Sequence, residues 1–321
     1  MTRLAPTVVV VCLLAATAVA FAVTERLKLK ESPILSTRID ELVSPVCNAC
    51  PPGAREARIA FRLRREDELT LAIVDADGDV VRDDLVSGRF RPMLLKFAWD
   101  GRDDSGRIVP DGLYRAQVRL ADEDRTLEFP NAIRVDSTAP EVEHVEVRPA
   151  VISPDGDGRR DRVKVRYSFS EPAYAVLYVD GKRRPRSYRR LSTGSRQWYG
   201  LRGRRGLPAG THRLALAALD AAGNLGPSTR EFTVRIRYVE LSRHVYRAPA
   251  ASRLRVGVST DATTLRYALA GGGRRLSGKV RAKRSIRAFS LRVPGEPGRY
   301  VLTVTANGRG SHARLVVRRP G

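Results

Sequence analysis

Three aspartates spaced for metal binding are the clearest candidates for chemistry in this chain. Asp155, Asp157 and Asp161 form the pattern D-x-D-G-x-x-D. Alternating carboxylates around a glycine turn supply the oxygen ligands that Ca²⁺ prefers. The alternative is an Asx–Gly turn whose solvated carboxylates are neutralised by Arg159 and Arg160, since the loop does not end in a bidentate glutamate. The loop is therefore a candidate structural Ca²⁺ site, and the sequence predicts no other cofactor.

Cys47 and Cys50 form a C-x-x-C pair, which can be a redox motif, half of a zinc site or a short disulfide. The chain has 3 cysteines, so there is no second C-x-x-C, and no histidine lies nearby to complete a zinc site. The βαβ context of a thioredoxin-like motif is absent as well. We therefore predict a structural disulfide, which is typical of proteins outside the cytoplasm.

A strongly basic run between residues 182 and 205 contains ten basic residues, no acidic residue and three interleaved aromatic side chains. Basic and aromatic side chains together can hold phosphates and stack on bases or sugars. The alternative is a long, solvated, arginine-rich hairpin loop. The candidate polyanion-binding residues are Lys182, Arg183, Arg184, Arg186, Arg189, Arg190, Arg202, Arg204 and Arg205.

The sequence contains no pattern typical of catalysis. Serine-hydrolase elbows, H-E-x-x-H zinc motifs and phosphate loops are missing. Aspartates within 75–79 and 100–111 could do acid–base work, but their turn-rich surroundings favour solvated hairpin caps. The four histidines are scattered singly among predicted strands and linkers: His144, His212, His244 and His312. We predict that the protein is not an enzyme.

A turn block that recurs after about a hundred residues indicates how these residues are positioned. The repeated positions are Trp99, Gly101, Pro110, Gly112 and Tyr114 in the first copy, and Trp198, Gly200, Pro208, Gly210 and His212 in the second. A shorter repeat, a glycine followed two residues later by an aromatic residue, ends at Tyr300. Self-similarity at this period indicates tandem copies of one module.

The chemistry of the block predicts a turn that leads into a strand. Pro110 sets φ for the turn, and Gly112 supplies a backbone conformation that most residues avoid. From Tyr114 to Leu120 apolar side chains alternate with polar ones, which indicates a half-buried strand. The ring at its start is similar to the tyrosine corner of β-sandwiches, and Trp99 and Trp198 are expected to anchor the core.

The segment WDGRDDSGRIVPDGLY, residues 99–114, resembles the Ig-like domain of flagellar hook-capping proteins and of many bacterial surface proteins. The segment ISPDGDGRRD, residues 152–161, is similar to the opening of related bacterial Ig-like repeats. The resemblance covers roughly residues 44–236. It implies an all-β fold of tandem Ig-like or fibronectin-like β-sandwiches, and it does not by itself transfer a role in hook assembly.

The N-terminus predicts the compartment. Arg3 precedes an uncharged apolar run from Leu4 to Val23, and eighteen helical residues span roughly 27 Å, close to the thickness of a bilayer core. Length favours an uncleaved transmembrane helix over a cleavable signal peptide, although Ala18-Val19-Ala20 fits a cleavage site. Either alternative places the remaining chain outside the cytoplasm.

The predicted domains are a membrane anchor or signal segment at 1–24, a stalk at 25–43, Ig-like domains at 44–137 and 138–236, and a basic third Ig-like domain at 237–321. The net charge of +23 is unevenly spread, because residues 32–137, 138–236 and 237–321 carry −4, +9 and +16. Such a gradient would attract an anionic partner to the third domain.

These features predict a non-enzymatic, membrane-anchored extracytoplasmic protein with a structural or interaction role at the cell envelope. Its expected partners are the cytoplasmic membrane, through the N-terminal helix, and an anionic envelope polymer or another envelope protein. Two alternatives remain open. One is a flagellar hook-assembly-type factor, and the other is an ectodomain that binds envelope polyanions or DNA, with nucleic acid the less expected ligand.

Overall fold

The structure is a computed structural model that describes residues 4–28, 31–51 and 54–319, with helical side chains described over 8–21. In this part of the chain one helix, α1 (Leu4–Lys28), precedes a series of β-strands. No helix found within the described residues is both long enough and apolar enough to cross a membrane. The predicted anchor at 1–24 lies partly outside the described residues.

The first compact unit, Met1–Thr138, contains a β-sandwich. Its strands are β1 (Ile34–Ile39), β2 (Leu42–Val43), β3 (Ala57–Leu63), β4 (Asp67–Val74), β5 (Val80–Phe90), β6 (Leu94–Trp99), β7 (Gly112–Leu120), β8 (Arg125–Glu128) and β9 (Ile133–Val135). One sheet has the order β1-β3-β6, and the other has the order β2-β9-β7-β4-β5 with β8 beside β7. A single hydrophobic core joins side chains of both sheets.

Alternation of apolar side chains builds this core. Along β3 and β7 every second residue is buried, including Ile59, Phe61 and Tyr114. The predicted alternation after the first turn block is therefore confirmed. The structure corrects the expected stalk at 25–43, because β1 and β2 lie within it. Strand β1 pairs with β3, so hydrogen bonding draws this segment into the sandwich.

The second compact unit, Ala139–Gly321, contains two further sandwiches. The strands of the second sandwich are β10 (Val142–Arg148), β11 (Val151–Ile152), β12 (Val163–Val179), β13 (Lys182–Arg183), β14 (Leu191–Trp198), β15 (Leu201–Arg202), β16 (Arg205–Gly206), β17 (Gly210–Leu219) and β18 (Phe232–Ile236). The long strand β12 serves both layers. Its first half pairs with β10 and β14, and its second half pairs with β13 and β17.

The strands of the third sandwich are β19 (Glu240–Leu241), β20 (Val245–Pro249), β21 (Arg253–Ser259), β22 (Thr264–Gly271), β23 (Arg274–Arg281), β24 (Ala288–Arg292), β25 (Gly298–Ala306) and β26 (Arg309–Arg318). They form the sheets β19-β21-β24 and β20-β26-β25-β22-β23. Strand β25 buries Tyr300, Leu302, Val304 and Ala306 in a core of its own.

The three sandwiches share one strand-pairing pattern. In each, a strand near the start pairs in parallel with the last strand, namely β2 with β9, β11 with β18 and β20 with β26. The strand that follows the turn block pairs antiparallel with that last strand in every copy. The predicted fold class, an all-β chain of tandem Ig-like sandwiches, is confirmed. The predicted domain boundaries at 137–138 and 236–237 stay predictions.

Candidate functional site

The first turn block forms a corner that closes one end of the first sandwich. Trp99, at the end of β6, is fully buried, and its ring centroid lies 5.3 Å from that of Tyr114 on β7. The indole Nε1 donates a hydrogen bond to the carbonyl of Arg102 at 2.9 Å. The Tyr114 hydroxyl donates to the carbonyl of Pro110 at 2.8 Å, which is the bond that the tyrosine-corner resemblance implied.

Close packing against Pro45 explains why a glycine occupies position 101. Gly101 has a φ of +72°, in the left-handed region that other residues rarely adopt. A Cβ built on it would lie 2.5 Å from Cγ of Pro45, well inside van der Waals contact. The turn after Trp99 and the loop that opens the domain at Ser44–Pro45 are therefore in direct contact, although they are far apart in sequence.

The second turn block repeats this arrangement. Trp198 and His212 lie with ring centroids 5.3 Å apart. Gly200 has a φ of +58°, and a Cβ on it would lie 3.0–3.2 Å from Ile236, Ile152 and Pro154. Pro154 thus occupies the place that Pro45 has in the first sandwich, so the same contact closes both.

His212 cannot supply the tyrosine hydroxyl, and a different residue does so. The hydroxyl of Tyr238, just beyond β18, donates to the carbonyl of Leu207 at 2.6 Å. His212 instead places Nδ1 2.8 Å from Oδ2 of Asp180. Burial acts to raise the pKa of Asp180, but hydrogen bonds from His212 and the Arg213 amide hold it below the usual value. The sequence pattern missed Tyr238 because it lies outside the repeated block.

The third sandwich retains only the tyrosine of the corner. The Tyr300 hydroxyl donates to the carbonyl of Glu296 at 3.0 Å, with the four-residue spacing seen at Tyr114. This shared geometry agrees with the short sequence repeat that ends at Tyr300.

The remaining turn residues differ from their predicted roles. Gly112 has no positive φ, and a Cβ on it would make ordinary contact at 3.7 Å with Tyr114. The left-handed backbone conformation expected at Gly112 occurs instead at Gly101, two residues after the tryptophan. Gly210 has open space around its Cα, and Pro208 is exposed. These two positions carry no packing constraint comparable to that at Gly200.

The loops that open the first two sandwiches are cross-linked by different chemistry. In the first, a disulfide joins Cys47 to Cys50, whose Cα atoms are 5.9 Å apart, and Cys47 is fully buried. In the second, the Asp161 carboxylate accepts hydrogen bonds from the amides of Asp155, Gly156 and Gly158 at 2.7–3.2 Å. Each loop is thereby held in shape beside its proline.

The predicted metal ligands lie together in this second loop. One carboxylate oxygen from each of Asp155, Asp157 and Asp161 lies within 4.8 Å of the other two. Burial and the neighbouring charge of Asp157 raise the pKa of Asp155 to about 6. The arrangement therefore concentrates negative charge where part of it is shielded from water.

The predicted polyanion-binding residues are all exposed, but they lie in two separate segments, 182–190 and 202–205. Lys182 and Arg183 form β13 and pair with the end of β12, whereas Arg202, Arg204 and Arg205 belong to the β15–β16 hairpin. The other members lie between β13 and β14: Arg184, Arg186, Arg189 and Arg190. Arg186 stacks 3.9 Å above the ring of Tyr174, so its charge is already engaged.

The aspartates considered for acid–base work serve as turn caps. Asp103 accepts hydrogen bonds from Ser105 and Arg107, and those from Ser105 are the main reason that its pKa is lowered. Asp111 accepts bonds from Ser137 and Thr138 at 2.6–2.7 Å. Partial burial acts to raise the pKa of Asp111, but these bonds lower it below the usual value. Both groups stabilise loops as carboxylates.

The first sandwich can now be compared with known proteins. Residues 52–124 match the FlgD Ig-like domain. The match contains the whole corner from Trp99 to Tyr114, and it agrees with the family resemblance that those residues suggested. FlgD Ig-like domains and related Ig-like domains suggest a structural or interaction role. No curated protein matches the chain.

Solved structures of other proteins are similar to this chain over most of its length. A mutated three-Ig fragment of titin is 10% identical, with 91% of this chain and 100% of that chain covered at a TM-score of 0.33. The mouse nectin-like molecule 4 ectodomain is 18% identical, with 88% of this chain and 99% of that chain covered at a TM-score of 0.28. A bacterial ice-binding adhesin is 14% identical, with 90% of this chain and 97% of that chain covered at a TM-score of 0.29.

The corner packing predicts unequal effects of two similar glycine substitutions. Gly101→Ala should destabilise the first sandwich by about 1–2 kcal/mol for its positive φ and by a further 1–3 kcal/mol for the clash with Pro45. Gly106→Ala is the matched control, because Gly106 has a φ of +78° and nothing within 4 Å of its Cβ position. Urea unfolding measures the stability loss of each variant. It is followed by the fluorescence of Trp99 in a Trp198→Phe background, so that the signal reports on the first sandwich. Equal losses would contradict the role given to Pro45.

The lowered pKa of Asp111 predicts a pH-dependent contribution to stability. The carboxylate stabilises the folded state above its unfolded pKa of about 3.9, and this contribution is lost as the pH falls through the lower folded value. Asp111→Asn should therefore lower the urea midpoint at pH 7, and its difference from the parent should shrink towards pH 3. Trp99 fluorescence in the Trp198→Phe background provides the measurement. A difference independent of pH would show that the hydrogen bonds do not depend on the charge.

Proposed function

We propose that this chain is a non-enzymatic structural protein of the cell envelope, whose basic third sandwich binds an anionic envelope polymer. The observation that carries the proposal is the placement of basic residues on the outer faces of that sandwich. Residues 237–321 contain nineteen arginine and lysine residues and three acidic residues.

One basic face lies on the sheet β19-β21-β24. Arg253 pairs directly opposite Arg292 across β21 and β24, and both side chains are exposed. Arg255 lies two residues further along the same face of β21. Like charges directly opposite each other disfavour strand pairing. Their presence is therefore not explained by the stability of the fold, and it suits a surface that binds an anion.

The other sheet has a comparable pair. Arg266 on β22 lies opposite Lys279 on the edge strand β23, and both are exposed. A groove of about 460 Å³ opens near the same edge strand, with Tyr267 and Arg292 among its lining residues. An aromatic ring and a guanidinium group that line the same groove are suitable partners for an acidic sugar.

The acidic residues of this sandwich have other neighbours. Glu240 pairs with Arg235 at 2.8 Å, and Glu296 pairs with Arg274 at 3.1 Å. Asp261 lies beside Ser153 of the second sandwich. Among the ion pairs of the described residues, none involves Arg253, Arg266, Lys279 or Arg292. Their charge remains available to a polyanion.

Three features support an envelope location. The first sandwich matches the FlgD Ig-like domain, which suggests an extracellular or envelope protein. The disulfide between Cys47 and Cys50 suits an oxidising compartment. The apolar run at 4–23 supplies the predicted membrane anchor or signal segment. A hook-assembly role draws support only from the match in the first sandwich.

Salt-dependent binding tests the proposed ligand class. We expect full-length protein to bind heparin, used as a soluble acidic polysaccharide, with an affinity that falls steeply with salt. Replacing Arg253, Arg266, Lys279 and Arg292 by glutamine should lower both the affinity and the salt dependence.

The matched control replaces four exposed arginines of the first sandwich by glutamine: Arg62, Arg65, Arg91 and Arg134. This variant has the same net charge as the test variant and should retain heparin affinity. Equal weakening of both variants would show that binding follows net charge alone and would contradict the proposal. Preference for duplex DNA over heparin at matched charge would favour the nucleic-acid alternative instead.

A further inference from the structure

A fourth aspartate from the third sandwich lies beside the acidic loop of the second. Asp261 lies between β21 and β22. Its carboxylate interacts electrostatically with those of Asp155 and Asp157. The two sandwiches meet at this place, since the Thr260 hydroxyl donates to the carbonyl of Tyr238 at 2.7 Å. Asp261 of the third sandwich therefore lies near the three clustered aspartates of the second at this junction.

Several oxygens at this junction are buried and have no hydrogen-bond partner. Both carboxylate oxygens of Asp261 and Oδ2 of Asp155 are shielded from solvent and make no hydrogen bond of regular geometry within the described residues. Ser153, which is 2% exposed, directs an unpartnered hydroxyl towards Asp261. Burying a charged oxygen without a partner is costly, and each such group in a native fold requires an explanation.

The electrostatics of the junction are unfavourable for the protein groups alone. Carboxylate oxygens of Asp155, Asp157 and Asp161 lie within 4.8 Å of one another, and buried oxygens of Asp155 and Asp261 have no hydrogen-bond partner within the described residues. Arg160 is the cation that acts on Asp261, and it offsets only part of the repulsion among these carboxylates. A bound divalent cation would satisfy the unpartnered oxygens and remove the repulsion between the carboxylates at the same time.

We propose that Asp155, Asp157, Asp161 and Asp261, with the hydroxyl of Ser153, bind one Ca²⁺ that locks the second sandwich to the third. Hard oxygen ligands, several carboxylates and loops rather than a rigid octahedral cage suit Ca²⁺. The proposal extends the three-aspartate loop by a ligand from the next domain. Calcium would then control the junction between sandwiches as well as the shape of one loop.

Calorimetric titration of chelator-treated full-length protein with CaCl₂ tests the site. We expect the parent protein to bind Ca²⁺ and Asp261→Asn to weaken the affinity by about tenfold or more. Asp77→Asn is the matched control, because Asp77 lies in the similar D-x-D-G turn of the first sandwich, and it should bind as the parent does. Absence of binding by the parent, or unchanged affinity in Asp261→Asn, would overturn the proposal.

Thermal unfolding provides a second measurement. The difference in stability between the parent and Asp261→Asn should change sign when Ca²⁺ is added. In chelator, Asp261→Asn should be at least as stable as the parent, because it removes a buried and repelled charge. In millimolar Ca²⁺ the parent should gain stability and exceed the variant. Asp157→Asn, at an exposed position, should show the same loss of calcium response if Asp261→Asn fails to fold. Equal calcium responses in parent and variants would overturn the proposal.

Discussion

The contact between a proline and a left-handed glycine is the constraint on which each of the first two sandwiches depends. Pro45 packs on Gly101 in the first, and Pro154 packs on Gly200 in the second. Each contact joins the loop that opens a sandwich to the turn that follows its buried tryptophan. Because the second strand of each sandwich pairs with its last strand directly before this proline, the contact lies where the chain enters and leaves the sandwich.

The chemistry around the corner varies while its packing is kept. A tyrosine hydroxyl bonds to the turn backbone in all three sandwiches, but Tyr238 supplies it in the second copy from outside the block. A disulfide holds the first opening loop, and an aspartate that accepts backbone amides holds the second. The two opening loops therefore keep the same position in the fold with different cross-links.

Much of the architecture could be predicted from short-range patterns. Alternating apolar residues specified the strands, and the repeated tryptophan and glycine positions specified the corner. The predicted stalk at 25–43 and the predicted backbone conformation of Gly112 were wrong for a common reason. Strand pairing and backbone angles depend on residues that are distant in sequence. Asp261 was missed for the same reason, since nothing around a lone aspartate between two strands shows that the fold places it near Asp155 and Asp157.

A double-mutant cycle between Pro45→Ala and Gly101→Ala tests the central contact most directly, with unfolding of the first sandwich followed through Trp99. The clash involves Cγ of Pro45, which alanine lacks. The double variant should therefore lose less stability than the sum of the two single variants, by about 1 kcal/mol or more. Additive losses would show that the proline and the glycine act independently, and would contradict the contact as the constraint that closes each sandwich.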